Sequence, residues 1–229
     1  MNMAIDELLL EDAASSGRAT LRFYGWQPAT LSLGYFQKIN ERQAHEASLS
    51  CEVVRRASGG GAIMHDHDLT YSFSVPTTSR WGDTQQMYFA FHETLVDVLS
   101  DYGVVAELHS EKKGLSSDQF LCFLRRASGD VTADGHKIMG SAQRRAKNAV
   151  LQHGSLLLAK SVHAPELPGL KEITGQKVET SQLVEKWLRR LTSRLKVNFS
   201  SSELTDTEKR GAIRLRDTKF ARDSWVQRR

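Results

Sequence analysis

Cysteine is almost missing from this chain: Cys51 and Cys122 are the two among 229 residues. Two thiols cannot build a disulfide framework, and such sparing use points to a reducing, cytoplasmic compartment. Proline is nearly as scarce, four in all, which argues against a long disordered linker. No window approaches the roughly 18 uninterrupted apolar residues of a membrane span, so no membrane partner is expected. The N-terminal Asn2-Met3-Ala4-Ile5-Asp6-Glu7 puts acids where a secretion signal needs a basic start and an apolar run. Internal repeats and heptads are also missing. What is present is ordinary globular material, 40% hydrophobic and 25% charged, with a mean hydropathy of −0.42. The length suffices for one sizeable core, and a single domain spanning residues 1–229 is expected.

The net charge of +4 is unevenly spread. From Lys171 to Arg229 there are 15 basic and 8 acidic residues, whereas residues 1–170 carry a net −3. Residues 170–229 therefore read as a helical, basic C-terminal part of the same domain. A solvated helical face explains this charge more simply than nucleic-acid contact does. On that reading, removing the basic residues after Lys209 leaves the chemistry intact.

Apolar periodicity and turn residues set the expected elements. Asn2 caps a helix to about Ser16, ended by Gly17. Strands are expected at Ala19–Gly25, Thr30–Tyr35 and Glu52–Arg56, with a short helix from Asn40 to Ala47. Ala62–His65 and Leu69–Val75 read as further strands. Asp83 caps a helix on which Met87, Phe91, Leu95, Val98 and Tyr102 share a face, and Gly103 stops it. Val104–Leu108 and Phe120–Leu124 read as strands, with a polar, mobile stretch from Ser110 to Asp118 between them. Asp134-Gly135 suits a type I′ hairpin turn inside Val131–Ile138. A strand over Ala149–Leu158 follows, then a helix capped by Thr180 and another near Glu203 to Phe220. Many strands with few helices predict an α+β fold on a mixed, largely antiparallel sheet flanked by helices.

Four segments could carry chemistry. Arg55-Arg56-Ala57-Ser58-Gly59-Gly60-Gly61-Ala62 sits between strands. Its glycines let backbone approach a ligand, and successive N–H groups can cradle an anion. It is neither a Walker A loop nor a dinucleotide fingerprint, and by itself it reads equally as a flexible hairpin tip. His65-Asp66-His67-Asp68 offers four potential ligands in a row. Successive residues of an extended chain alternate faces, so they cannot converge on one ion; no metal is expected, and His65 is the candidate to turn inward onto substrate. Cys122 in an apolar run reads alone as a small buried hydrophobe, as Cys51 does. Lys137, 15 residues later, reads alone as a surface lysine, yet neighbouring strands could bring it to Cys122, where an ammonium makes a thiol a usable nucleophile. Last come Gly140-Ser141-Ala142 and His153-Gly154-Ser155, small and polar residues that admit a ligand between strands.

The order of these motifs is more telling than any one of them. Arg55–Ala62 with His65-Asp66, then Gly135-His136-Lys137-Ile138-Met139-Gly140-Ser141-Ala142-Gln143, then Gln152-His153-Gly154-Ser155-Leu156 resembles the catalytic domain of lipoate–protein ligases and octanoyltransferases, the biotin/lipoate protein ligase fold. Asn2 to Glu7 is similar to that family's first helix, and the likeness runs from residue 2 to about 160. Ligases typically carry an Asn-Asp pair where this chain has Cys122-Phe123. That pair is similar to the cysteine-dependent octanoyl-[acyl carrier protein]:protein octanoyltransferases, and after it Leu124-Arg125-Arg126-Ala127-Ser128 departs from the Pro-Ser common there. The resemblance implies that Cys122 is an acyl-thioester nucleophile supported by Lys137. Arg56, Ser58, Gly59, Gly60, Gly61, His65, Gly140, Ser141, Ala142, His153, Gly154 and Ser155 would bind substrate. It implies octanoylated acyl carrier protein as donor, a lipoyl domain or glycine-cleavage carrier protein as acceptor, and no cofactor. The alternatives are an ATP- and Mg-dependent ligase, an amidotransferase moving octanoyl between lipoyl carriers, and a non-catalytic relative that binds carriers or nucleic acid. Val54, Leu69, Tyr71 and Ile138 are candidates to line the acyl channel. Arg125, Arg126, Arg144, Arg145 and Lys147 are candidates to steer an acidic carrier.

Overall fold

The computed structural model describes residues 1–78, 83–110 and 119–228. Its elements in chain order are α1 (Asn2–Ser16), β1 (Thr20–Tyr24), β2 (Thr30–Leu33), β3 (Glu52–Arg55), β4 (Ile63–His65), β5 (Asp68–Pro76), α2 (Thr84–Ser100), β6 (Ala106–Leu108), β7 (Val131–Ala133), β8 (His136–Ala146), β9 (Ala149–Leu157), α3 (Leu170–Thr174), α4 (Thr180–Leu195), α5 (Asp206–Leu215) and α6 (Asp223–Val226). Six strands form one sheet in the order β1-β5-β9-β8-β7-β6, with every neighbouring pair antiparallel. A smaller sheet, β3-β2-β4, has one parallel and one antiparallel pair. The mixed, largely antiparallel sheet flanked by helices is thus the architecture found. Among the described residues no helix is long and apolar enough to cross a membrane.

The long strand β5 is buried on both faces, and residue parity decides what each face does. Leu69, Tyr71, Phe73 and Val75 join the main core with Met87, Phe91 and Leu95 of α2 and Leu183, Trp187 and Leu191 of α4. Thr70 and Ser72 point the other way, toward α1 and the small sheet, where Ser72 Oγ donates to Asp6 Oδ1 at 2.7 Å. Asp83 caps α2 as expected, its side chain accepting from the Gln85 and Gln86 amides. Asp134 and Gly135 both take positive φ, 46° and 70°, as a type I′ turn requires.

Several local expectations are corrected. Phe120–Leu124 is no strand: Leu121 makes one parallel bridge to Ala62, and Cys122–Leu124 is a 3-10 turn. Asn2 and Thr180 do not cap their helices; they are the first helical residues, and the Asn2 amide donates to the Gly25 carbonyl instead. The helix expected over 40–47 is two 3-10 turns, Ile39–Ala44 and Glu46–Ser48. The last helix starts at Asp206, capped by Thr205, and runs into a π-helical turn at Arg216–Phe220. Residues 111–118, most of the stretch read as mobile, lie outside the described residues.

The basic C-terminal part is not merely a solvated face. Phe220 packs on Met3 and Ala4, with Trp225 against the same cluster. Trp225 Nε1 donates to the Arg55 carbonyl at 2.9 Å, and the Arg55 guanidinium returns two bonds to the Val226 carbonyl, at 2.9 and 2.7 Å. The chain end therefore braces the residue just before Arg56.

Candidate active site

A cavity of about 300 Å³ opens between the two sheets, at the small end of ligand sites. The large sheet contributes Thr70, the Gly140–Gln143 run of β8 and the His153–Ser155 run of β9; the small sheet contributes Ser32, Ile63 and His65. Arg56, Gly59, Gly60 and Cys122 line the side where the glycine turn meets the 3-10 turn. Of the expected substrate-binding residues, Ser58 and Gly61 alone are not on the wall. Gly61 lies against the Cys122 backbone, since a Cβ there would sit 3.0 Å from Cys122 Cα and N. A larger surface groove near Tyr102, Asp134 and Gln176, about 750 Å³, has no cysteine, histidine or lysine in its walls.

The apolar walls are Met3, Trp26, Ile63 and Phe123. The expected lining residues Val54, Leu69, Tyr71 and Ile138 are elsewhere: the last three belong to the α2/α4 core and Val54 packs near Trp225. For Leu69 and Tyr71 the reason is parity on β5, which gives Thr70 to the cavity and its neighbours to the core.

Cys122 and Lys137 meet. Lys137 Nζ is 3.8 Å from Cys122 Sγ and 3.5 Å from the Cys122 carbonyl oxygen. Lys137 is buried, and its charge is met by Asp130 Oδ2 at 2.8 Å. Asp130 also accepts from Tyr88 Oη at 3.1 Å and from the Ala127 amide at 2.7 Å. The lysine stem fills the space beside Gly140, where a Cβ would come within 2.6 Å of Lys137 Cε and 3.1 Å of Asp130 Oδ1. Glycine at 140 is thus what lets the ammonium fold back over the strand.

Most of the other expected polar side chains are tied to the protein. Arg56 donates to the carbonyls of Ser32, Gly59 and Gly61 at 2.8, 2.9 and 2.6 Å, holding the turn in which Gly60 takes φ 96°. Burial pulls its guanidinium down to about 10, so it remains a cation at neutral pH. Ser58 Oγ bonds His153 Nε2 at 2.5 Å, and His153 Nδ1 faces Asp6 at 3.7 Å. Asp6, itself buried, also takes Arg22 at 2.5 Å and the Tyr24 hydroxyl at 2.7 Å. Burial alone would raise its carboxyl; the His153 bond and the Arg22 charge outweigh that and hold it below the usual range. Ser141 Oγ bonds Tyr71 and His92.

His65 does turn inward. Its Nδ1 meets Asp68 Oδ2 at 2.8 Å, and its ring stacks on Trp26 at 4.2 Å. The same Asp68 oxygen accepts from Thr70 and Ser155, at 2.8 and 2.6 Å. Asp66 instead accepts from Ser161 Oγ at 2.7 Å, so the His-Asp-His-Asp run is split between faces. Cys51, half-buried, lies away from the cavity, and burial pushes its thiol up.

The sequence does not single out Asp130, Tyr88, His92 or Trp26, and it offers Asp6 only within the Asn2–Glu7 likeness. Tyr88 and His92 did carry a signal, as a polar pair at i, i+4 on a helix that is apolar around them. Asp130 carried none.

The family model for the lipoyl protein ligase A/B catalytic domain matches residues 1–166. Octanoyltransferase LipM of Moorella thermoacetica is 34% identical over an alignment covering all of this chain and 93% of that protein. The LipM of Bacillus subtilis is 30% identical, covering all of this chain and 94% of its own. Among solved structures, lipoate-protein ligase A bound with ATP superposes with a TM-score of 0.78 at 23% identity, covering 98% of this chain and 92% of that one. A bi-partite lipoate protein ligase from Thermoplasma acidophilum, solved in work on its E2 lipoyl domain, gives 0.75 at 21% identity, with 99% and 90% covered. At these identities the structural likeness speaks for the fold. The match over most of the chain and the relatives above 30% identity establish that the chain belongs to the lipoyl protein ligase A/B catalytic-domain family.

Proposed function

We propose that this chain is an octanoyltransferase of protein lipoylation that works through a thioester on Cys122. The observation that carries the reading is the Lys137 ammonium 3.8 Å from the Cys122 sulfur at the wall of an inter-sheet cavity. The Cys122 thiolate attacks the thioester carbonyl of octanoylated acyl carrier protein. A carbon–sulfur bond to Cys122 forms as the carrier's breaks, and the carrier leaves as a thiolate that takes a proton from Lys137. The amine of a lysine on a lipoyl domain, or on a glycine-cleavage carrier, then attacks octanoyl-Cys122. The amide forms, the carbon–sulfur electron pair returns to Cys122, and the proton shed by the attacking amine restores the Lys137 ammonium. Thioester to amide runs downhill, so the sequence of steps uses no ATP and no metal. Lys137 balances each thiolate as it appears, and a carbonyl oxygen turning toward the ammonium gains the stabilisation of an oxyanion hole, about 3 kcal/mol per donor.

The breadth of the cavity wall supports this reading. Thr70, Ser155 and Gly140 lie abreast on β5, β9 and β8. With strands about 4.8 Å apart, Thr70 is roughly 10 Å from Gly140, comparable to an extended eight-carbon chain. Each buried methylene contributes about 0.8 kcal/mol, enough to select chain length.

The test is incubation with octanoyl carrier protein and an apo lipoyl domain, without ATP. We expect octanoylated acceptor, and an enzyme heavier by one octanoyl group when acceptor is withheld. Cys122→Ser abolishes that adduct as a thioester, and Cys122→Ala abolishes turnover. Product that requires ATP and free octanoate would overturn the reading in favour of ligation. Turnover from an octanoylated lipoyl carrier, but not from acyl carrier protein, would replace the donor and keep the thioester.

A further inference from the structure

Tyr88 and His92 project from α2 into the sheet, their rings 4.0 Å apart between centroids. Tyr88 Oη donates to Asp130 Oδ1 at 3.1 Å, on the carboxylate that holds Lys137. His92 is fully buried and makes two bonds whose directions can be deduced. Its Nδ1 is 2.7 Å from the Gly129 carbonyl oxygen, which only accepts, so Nδ1 carries the hydrogen. Burial pulls the imidazole down to about 4, leaving it neutral near pH 7 with a lone pair on Nε2. Ser141 Oγ, 2.7 Å from Nε2, must therefore donate to it.

The rest of the chain of bonds follows from that direction. Having given its one hydrogen, Ser141 Oγ accepts from Tyr71 Oη at 2.8 Å, and Tyr71 accepts from Gln152 Nε2 at 2.6 Å. Gln152 Oε1 accepts from Gln143 Nε2 at 2.6 Å, and Gln143 also donates to the Thr84 carbonyl at 2.5 Å. Gln143, Gln152, Tyr71 and Ser141 thus donate in series, and the series ends on Nε2 of His92 in α2. Ser141 Oγ occupies the space a Cβ at 154 would take, 2.3 Å from that point, so a side chain there would displace it.

His92 thus bonds the residue on the chain next to each support of Lys137. Gly129 precedes Asp130, which accepts from the ammonium, and Ser141 follows Gly140, over which the lysine stem folds. We propose that Tyr88 and His92 are positioning residues that fix the Lys137 ammonium beside the Cys122 sulfur, Tyr88 through Asp130 and His92 through Gly129 and Ser141. This inference rests on the Cys122–Lys137 reading above.

The experiment measures kcat, KM and melting temperature for octanoyl transfer by four variants. His92→Leu should lower kcat by roughly tenfold to a hundredfold, the scale of loss when a reacting group is misplaced by about 1 Å, with KM changed less than about threefold. His92→Gln can both donate and accept, and should recover most of that loss. Tyr88→Phe, which deletes one hydroxyl and keeps the ring, should lower kcat several-fold and carries the test if His92→Leu does not fold. A merely structural role would lower the melting temperature while leaving kcat per folded molecule intact. Values of kcat within about twofold of the parent in the folded variants overturn the inference. Cys122→Ala separates the two ideas: full turnover there overturns the thioester reading and the inference with it, whereas a dead Cys122→Ala beside an unimpaired Tyr88→Phe overturns the inference alone.

Discussion

At the scale of single residues, the site depends on the absence of atoms as much as on their presence. Gly140→Ala would thrust a methyl to within 2.6 Å of Lys137 Cε, into a buried ion pair with little room to move. Transfer should fall by about a hundredfold with the circular-dichroism spectrum unchanged. His92 also sets a pH dependence of stability. Its folded value of about 4 lies below the ordinary 6.5, so between these values the unfolded chain binds the extra proton. Folding is then favoured as pH rises through that window and weakened as pH falls, by up to about 3 kcal/mol. Urea unfolding at pH 7, 5.5 and 4.5 measures the slope, and His92→Gln should flatten it. Cys122 and Lys137 read alone as a buried hydrophobe and a surface lysine, and were legible as a pair through the order of the motifs around them and the family that order resembles. Asp130 was not, because an aspartate before a strand looks the same whether it meets water or a buried ammonium.

At the scale of elements, helix and hairpin signals were legible wherever they were local. The Asp83 cap and the positive φ at Asp134-Gly135 are decided by a few neighbouring atoms. The stretch from Phe120 to Leu124 reads as a strand because an apolar run of five has the same composition in a strand and in a buried turn. Its one bridge, from Leu121 to Ala62, joins distant parts of the chain, and the turn begins at the next residue. Register was equally hidden: nothing in Leu69-Thr70-Tyr71 says which parity faces ligand when both faces are buried. α4 offers the plainest test of packing. Trp187 is fully buried, its ring centroid 5.4 Å from both Phe23 and Tyr71, and its Nε1 donates to Thr94 at 3.0 Å. Trp187→Ala should cost about 3–5 kcal/mol in urea unfolding, and transfer by the folded fraction should survive, because the ring lies on the far face of the sheet from the cavity.

At the scale of the whole molecule, the chain end returns to the site. Deleting residues 210–228 removes the Phe220 and Trp225 packing on α1 and the Val226 carbonyl that accepts from Arg55. A lower melting temperature and weakened transfer are expected, measured on the truncated chain beside the full one. Unimpaired transfer by the truncated chain would instead return the tail to a surface that the chemistry does not need. The two sheets have a consequence of their own. Sulfur and ammonium are carried by different slabs of the protein, Cys122 alongside β4 through the Ala62 bridge and Lys137 on β8. Their spacing is therefore a gauge of how tightly the slabs clasp. Gentle warming that loosens the clasp should silence turnover several degrees before the backbone melts, so heat would switch this catalyst off while it is still folded.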